Sequence, residues 1–452
     1  MTAAQTASSL KTLSHWASAL QWNDLPTDLK ARAALIFLDD FSALAAARSE
    51  PELIELRGRL AQFSGPAEAT VHDGSGKRLD RYSAALANGA GADWCELDGG
   101  YRLAVCHAAI YCSPALMAEA EANGQTFREA LVALIAGYEV VARVARCFHF
   151  PALTLHPHAG LATIGAAVAV ARLRGLGGDQ IHSAINTAAG LVLPGPFNHA
   201  VEGALMRNVW PGVCAQNGIR AVDWVSMGIS GGDNALHEVF AEIFAATPSP
   251  DQLVEGLDKA FCMRDAYHKM HACCQYSHST VEATLAALNG QPLRQDSVRS
   301  IRVASHPKGM LLDNAQPATT LAAKFSIQHV AAATLVFGHA SAEAFHADTL
   351  DDPGITRLRN LVEIVAHGSD LPPPHDRPAL VQVSLENGTV LKGECLSAQG
   401  GSDHPFSQEQ IISKVVNNLH VGWPRLAERA HRIVEIDEEL LDLPLLNLLS
   451  PD

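Results

Sequence analysis

Apolar residues recur with the period of an α-helix along most of the chain, from residue 5 to about residue 265. Residues 29–47 (LKARAALIFLDDFSALAAA), 126–148 (TFREALVALIAGYEVVARVARCF) and 159–178 (AGLATIGAAVAVARLRGLGG) show this pattern clearly. Alanine and glycine are frequent in these segments, and small side chains let helices approach one another closely. The pattern therefore predicts a large, tightly packed all-helical region.

The pattern changes after residue 290. In residues 296–307 (DSVRSIRVASHP) apolar and polar side chains alternate, which is typical of a half-buried strand. Residues 380–396 (LVQVSLENGTVLKGECL) predict a β-hairpin with Asn387-Gly388 at its turn. Helical segments lie between these strands, so this part of the chain predicts an α+β domain.

Helical periodicity returns near the C-terminus, in SQEQIISKVVNNL and PRLAERAHRIVEID. The predicted fold class is therefore mainly α, a large all-helical domain with an inserted α+β lid domain. Residues 1–266 together with 404–452 are expected to form the helical domain, and residues 267–403 are expected to form the lid.

Composition and charge narrow the classes of function. The chain has 452 residues, 48% hydrophobic and 18% charged, which is the composition of a folded globular protein and not of a disordered one. Its net charge of −15 argues against nucleic acid as a partner, because phosphate neutralisation needs clustered lysine and arginine. A small acidic ligand remains possible where a few cations are placed inside a cleft.

Cysteine usage and the apolar segments predict a cytoplasmic protein with no membrane partner. The nine cysteines lack the spacing of a disulfide framework. The first residues (MTAAQTASSLKTLSHW) show no basic segment followed by an apolar one, so no secretory signal is expected. The apolar stretch 161–173 is shorter than the roughly 20 residues of a membrane span.

Residues 267–278 (YHKMHACCQYSH) contain several side chains that can take part in catalysis or metal binding: three histidines, two adjacent cysteines and a lysine. Histidine and cysteine are the ligand types that zinc prefers, but adjacent cysteines without a second pair at CxxC spacing are a poor template for a closed site. We therefore interpret the segment as one for acid–base chemistry and carboxylate binding, and we predict no metal.

Six blocks of the sequence resemble one protein family, MmgE/PrpD, and they follow the family's order along most of the chain. The blocks are ADWCELDGGYRLAVCHA (92–108), GYEVVARVAR (137–146), LHPHAGLATIGAAVAVARLRGL (155–176), MRNVWPGVCAQNGIRAVDWVSMGISG (206–231), YHKMHACCQYSHSTVEA (267–283) and QPATTLAAKFSIQHVAAATLVFG (316–338). The resemblance implies a helical domain built from both ends of the chain, an α+β lid, a cleft between them and a homodimer. It also implies a small polycarboxylate substrate and no cofactor.

Reactions of this family create or discharge negative charge on a carbon next to a carboxylate, which requires proton-transfer groups and fixed positive charge. Histidine titrates near cellular pH, and lysine holds carboxylates and stabilises developing charge. By resemblance, the catalytic candidates are His107, which follows an acidic loop, His156 in LHPH in preference to His158, and Lys269 and His278 in the segment 267–278.

Three further residues are candidates for substrate binding by resemblance. Glu96 and Asp98 lie in the acidic loop before His107. Arg207 lies where the family's dehydratases and decarboxylases have lysine and other members have arginine. A planar guanidinium can bind a carboxylate through two hydrogen bonds, whereas lysine acts as a point charge, so this exchange affects substrate choice.

The sequence leaves three functions open. The first is a cofactor-independent lyase that dehydrates or decarboxylates a small di- or tricarboxylate. The second is an epimerase acting next to a carboxylate, with His107 and Lys269 on opposite faces of the substrate. The third is a non-catalytic carboxylate binder, which the presence of several titratable histidines disfavours, because binding alone requires cations and no bases.

Overall fold

A computed structural model describes residues 2–451 and shows a mainly α protein with small sheets. The helices are α1 Ala3–Ala19, α2 Thr27–Ala46, α3 Pro51–Phe63, α4 Arg81–Ala92, α5 Ala108–Ala122, α6 Phe127–Cys147, α7 Pro157–Leu173, α8 Gly178–Ala189, α9 Asn198–Glu202, α10 Met206–Ser226, α11 Ala235–His237, α12 His278–Leu288, α13 Thr320–Lys324, α14 Ile327–Phe337, α15 Pro353–Arg359, α16 Gln408–Leu419, α17 Pro424–Val434, α18 Glu438–Leu441 and α19 Leu445–Leu449. The predicted fold class is confirmed in its mainly helical character.

The largest sheet has four strands in the order β10-β9-β7-β8, and the remaining three sheets are two-stranded. The strands are β1 Ala69–Thr70, β2 Arg78–Leu79, β3 Gly100–Tyr101, β4 Phe148–His149, β5 Thr247–Pro248, β6 Ala266–Tyr267, β7 Val298–Ser305, β8 Val362–Ala366, β9 Ala379–Leu385 and β10 Val390–Cys395. Strand β9 pairs antiparallel with β10 and with β7, and β8 pairs parallel with β7. Gly388 has a φ of 85°, as the turn between β9 and β10 requires. The predicted hairpin is therefore confirmed.

Buried apolar residues form two cores. The first joins the N-terminal helices to the C-terminal ones, so that Ile411 and Leu448 share it with Phe37 and Ile164. The second lies between the four-stranded sheet and helices α12 and α14, with members such as Val381. The C-terminal helices thus pack on the N-terminal part of the chain. The exact division into two domains stays a prediction.

Helices α4 and α10 touch through their backbones. A Cβ on Gly89 would lie 2.5 Å from the Cα of Gly212, so neither position accepts a larger residue without displacement. The helices run antiparallel. The end of α4, at Asp93, therefore lies next to the first turn of α10, at Arg207. Glycine packing therefore sets the position of a buried carboxylate and a buried guanidinium.

No helix within residues 2–451 is both long enough and apolar enough to cross a bilayer.

Candidate active site

An acidic loop joins α4 to β3 and buries three carboxylates. Asp93, Glu96 and Asp98 are each at most 1% exposed. Glu96 has a φ of 54°, a left-handed conformation that costs energy for a residue other than glycine. Two lysines from other parts of the chain hold the loop in place. The ammonium of Lys324 donates to the carbonyl of Trp94 at 2.8 Å, and the ammonium of Lys414 donates to the carbonyl of Leu97 at 2.7 Å.

The short sheet β3–β6 brings the acidic loop to Lys269. Gly100 pairs with Tyr267 in antiparallel register, and continuing that register by two residues places Asp98 opposite Lys269. The ammonium of Lys269 lies 3.2 Å from Oδ1 of Asp98 and 3.1 Å from Oε2 of Glu96. Burial opposes the charged ammonium, but these two carboxylates outweigh it and raise the pKa of Lys269 well above its usual value.

Arg207 closes the other side of the acidic loop. One guanidinium nitrogen, Nη1, lies 2.5 Å from Oδ2 of Asp93 and 2.5 Å from Oε1 of Glu96. Its Nε–H donates to Nε2 of His156 at 3.2 Å. Burial disfavours the charge on Arg207, but the three carboxylates outweigh burial and raise its pKa. The guanidinium also lies over the ring of Phe325, 5.1 Å from the ring centre.

His107 lies at the end of the row of charged side chains formed by Arg207, Lys269 and the carboxylates of the acidic loop. It precedes α5, and a bridge between Tyr101 and Cys106 folds the preceding loop back so that the Nδ1–H of His107 donates to Oδ2 of Asp98 at 2.6 Å. The Nε2 atom makes no hydrogen bond within residues 2–451. The side chain is 15% exposed, which makes it the accessible end of a buried group. We call the series Asp93, Arg207, Glu96, Lys269, Asp98 and His107 the charge chain.

The carboxylates of the charge chain titrate differently. Burial, together with the neighbouring Glu96, raises the pKa of Asp93 well above its usual value. Burial acts in the same direction on Asp98, but Lys269 and His107 outweigh it and lower the pKa of that carboxyl. Asp98 is therefore an ionised partner that orients His107. The different environments of Asp93 and Asp98 push the pKa values of these two carboxyls apart.

Histidines 156 and 158 stand at the start of α7 and complete the wall of the site. Nε2 of His158 lies 2.7 Å from Oδ2 of Asp93, and the Tyr111 hydroxyl donates to Nδ1 of His158 at 2.9 Å. The ring centres of His107 and His158 are 4.8 Å apart. Burial lowers the pKa of His156 and of His158 well below the usual value, so both are neutral at cellular pH.

His278 lies at the start of α12 with both ring nitrogens engaged. The Tyr267 hydroxyl donates to Nδ1 at 2.9 Å, and Nε2–H donates to the carbonyl of Cys273 at 3.1 Å. Burial lowers the pKa of His278 well below its usual value. This geometry holds the segment that carries Lys269 in place, and direct proton transfer by His278 stays a prediction.

The two adjacent cysteines of that segment are protonated thiols. Burial raises the pKa of Cys273 and of Cys274 to about 12. The Ser277 hydroxyl lies 3.2 Å from the sulfur of Cys273. A thiolate, and not a thiol, is the form that ligates a metal. The prediction that the protein needs no metal remains untested.

The structure brings most of the predicted residues together and adds others. Glu96, Asp98, His107, His156, Arg207 and Lys269 form one connected site. Asp93 and Tyr111 belong to it and were missed by the sequence analysis, and His158, which that analysis ranked below His156, belongs to it as well. For His158 the available signal was its place two residues after His156, and for Asp93 it was its spacing of three and five residues from Glu96 and Asp98.

Comparison with known proteins agrees with the sequence blocks. The sequence model of the MmgE/PrpD N-terminal domain matches residues 11–252, and that of the MmgE/PrpD C-terminal domain matches residues 271–441. Cis-aconitate decarboxylase-like protein oryM of Aspergillus oryzae is 24% identical over 95% of this chain and 93% of its own length. Cis-aconitate decarboxylases of Aspergillus terreus and Homo sapiens are also 24% identical, over 97% and 86% of this chain and 93% and 83% of their own lengths.

Proposed function

Because this chain belongs to the MmgE/PrpD family, we propose that it is a cofactor-independent lyase that decarboxylates a small di- or tricarboxylate by histidine–lysine acid–base chemistry. The similarity to cis-aconitate decarboxylases favours decarboxylation over the dehydration and epimerisation that the sequence leaves open. A non-catalytic binder is a poorer account of the histidines in the site.

The observation that carries this proposal is the shared carboxylate of Asp98. One oxygen contacts the ammonium of Lys269 and the other accepts from His107. An acid–base group and a fixed cation are thereby joined through one side chain, and the proposal requires that one small molecule contacts both. The free Nε2 of His107 is the atom available to give a proton to that molecule, since general acids act within about 3 Å or through one water.

The charge balance of the site suits an anionic substrate. Arg207 and Lys269 carry two positive charges, and both stay charged because the neighbouring carboxylates raise their pKa values. Substrate carboxylates would compete with Glu96 for Arg207 and Lys269, and charge-assisted hydrogen bonds of this kind are the strong ones.

In the proposed step the bond between a carbon and its carboxylate breaks, carbon dioxide leaves, and the electron pair stays on the carbon. Lys269 and Arg207 stabilise the negative charge as it spreads to a neighbouring carboxylate. His107 then delivers its proton from Nε2 to that carbon and regains a proton from solvent. Asp98 stabilises the imidazolium before the transfer and keeps the ring oriented after it.

The test is to incubate the purified protein with citrate-, aconitate-, methylcitrate- and succinate-type acids in deuterated water and to follow products by NMR. We expect carbon dioxide and a product that carries one deuterium at the carbon that lost its carboxylate. Loss of water would identify a dehydratase instead, and deuterium exchange without conversion would identify an epimerase. Binding of these acids without any reaction would support the non-catalytic alternative.

A further inference from the structure

A cavity of about 1060 Å³ adjoins the loops that carry His107 and His156. Two loops of the site form part of its wall: residues 102–105, just before His107, and Leu155 and Pro157, on either side of His156. The predicted lid contributes Pro307, Lys308, Leu311, Pro373, Pro374, Asp376 and Arg377. We call this cavity the lid cleft. Its volume is at the upper end of the range of about 300–1,000 Å³ that pockets for drug-sized ligands occupy.

One wall of the lid cleft is apolar. It is formed by side chains around the end of α6 and the start of α7, of which Phe148, Phe240 and Leu161 are buried and Phe150 and Leu155 are partly buried. Leu103 and Leu311 stand at the mouth, 60% and 50% exposed. Apolar surface of this extent inside a concave site favours a ligand with a hydrocarbon part.

Another part of the lining carries more cations than carboxylates, with Arg102, Lys308 and Arg377 against Asp376 and Asp403. Arg102 forms ion pairs with both Asp376 and Asp403. Arg377 is 6% exposed, yet its Nε and Nη1 atoms have no hydrogen-bond partner within residues 2–451. Its nearest carboxylate oxygen, on Asp376, is 3.7 Å from Nε. A buried guanidinium with unused donors costs free energy unless a ligand or water satisfies it.

Lys308 lies next to Arg377 and forms no ion pair within the described chain. Both cations face the ring of Tyr276, at 5.6 Å for the ammonium of Lys308 and 5.1 Å for the guanidinium of Arg377. The remaining carboxylate of the cleft wall, on Asp265, belongs to the helical part. Tyr276 lies in the segment 267–278, which also carries Lys269 and His278.

We propose that the lid cleft binds an organic anion with an apolar body, whose carboxylate is held by Arg377 and Lys308 and whose hydrocarbon part lies on the wall formed around Phe150 and Leu155. A carboxylate supplies the acceptors that Arg377 lacks. The apolar wall then selects a ligand larger and less polar than a simple tricarboxylate. The ligand is either a substrate with a hydrocarbon extension or a separate effector of the same chemistry.

Calorimetric titration of the full-length protein with octanoate tests this site, with acetate as the headgroup control and octanol as the chain control. Octanoate should bind more tightly than either control. Arg377→Gln should weaken octanoate at least about tenfold, the scale of losing one charge-assisted hydrogen bond. Leu311→Asp should weaken it by a similar factor, because a carboxylate at the mouth repels the probe. Ile54→Asp, a matched substitution at a residue 56% exposed on α3, should leave the affinity unchanged.

Equal binding of octanoate by wild type, Arg377→Gln and Leu311→Asp overturns the proposal, as does binding no tighter than that of acetate. A change of oligomeric state on Leu311→Asp, measured by light scattering, also overturns it, because a second copy of the chain would then cover the cleft. Competition by octanoate against turnover of a tricarboxylate identifies a substrate extension, whereas inhibition or activation without competition identifies an effector. The titration needs no turnover, so failure of the proposed lyase activity leaves this site testable.

Discussion

Asp98 connects His107 to Lys269, because one of its carboxylate oxygens contacts each of them. The sequence identified Asp98, His107 and Lys269 as candidates but gave no reason to connect them through one residue. The connection depends on the β3–β6 register, and pairing between segments about 165 residues apart cannot be inferred from local patterns. The family resemblance identified these three residues as candidates, and the structure shows how they contact one another.

Arg207 is the residue at which a conservative change should have a large effect. Its Nη1 contacts Asp93 and Glu96 while its Nε donates to His156, and a lysine has no planar group that spans these three partners. We expect Arg207→Lys to lower kcat/KM by about tenfold or more with the fold intact, because one charge-assisted hydrogen bond is worth roughly that factor. Steady-state kinetics and circular dichroism measure the two quantities.

Arg174→Lys is the matched control for that variant. Arg174 also binds two carboxylates, Glu119 and Asp223, but it lies outside the site. Its replacement should leave kcat/KM unchanged. An Arg207→Lys variant that keeps or exceeds the wild-type kcat/KM would show that the guanidinium geometry has no part in substrate binding.

At the level of elements, helix α16 connects the C-terminal part of the chain to the site. The ammonium of Lys414 donates to the carbonyl of Leu97 at 2.7 Å and to that of Lys269 at 2.8 Å, and it lies 2.7 Å from Asp39. One side chain thus ties the acidic loop to the segment that carries Lys269. Lys414 touches no reacting group in this account and is a positioning residue.

We expect Lys414→Met to lower kcat by at least about tenfold, because small misplacements of catalytic groups cost large factors in rate. Lys414→Arg, which keeps the charge and the donors, should recover part of that loss. Lys392→Met replaces an exposed lysine of β10 and should have no effect on kcat. The idea fails if Lys414→Met turns over at the wild-type rate, or if Lys414→Arg is no better than Lys414→Met.

The elements themselves were largely predictable from sequence. Helical periodicity predicted the N-terminal helices and those after residue 404, and Asn387-Gly388 predicted the turn between β9 and β10. The role of Lys414 was not predictable, because a lysine in an amphipathic helix is usually solvated and its partners lie about 145 and 317 residues away. Local patterns report periodicity and turn chemistry and carry no information on such distant contacts.

At the scale of the whole molecule, the protein buries histidines in their neutral form. Burial lowers the pKa of seven histidines, and for two of them, His306 and His329, the value is about 4. The other five are His156, His158, His182, His268 and His278. In the unfolded chain each would titrate near the ordinary value of about 6.5.

This difference predicts a loss of stability in mild acid. Below about pH 6.5 the unfolded chain takes up protons that the folded chain does not bind, so the free energy of unfolding falls as pH falls, until the folded pKa values near 4 are reached. Asp40, Asp93 and Glu139 have raised pKa values and act in the opposite direction, but they are three groups against seven.

Thermal denaturation followed by fluorescence at pH values from about 7.5 to about 4.5 measures the trend. Tm should fall steadily below about pH 6.5, before most exposed carboxylates begin to titrate near pH 4. A Tm that stays constant or rises between about pH 6.5 and 5 would mean that the buried histidines are not neutral in the folded protein.

The measurement that tests the central claim most directly is the turnover of His107→Asn on the acid that the wild-type protein decarboxylates. Asparagine keeps a polar side chain next to Asp98 but has no titratable proton. We predict a fall in kcat of about a hundredfold or more, the usual scale for losing general acid catalysis, with an unchanged circular dichroism spectrum. His346→Asn, at an exposed histidine outside the charge chain, should turn over normally. A His107→Asn variant with near-normal kcat would contradict the account, because no other group in the charge chain presents a free titratable nitrogen to a substrate.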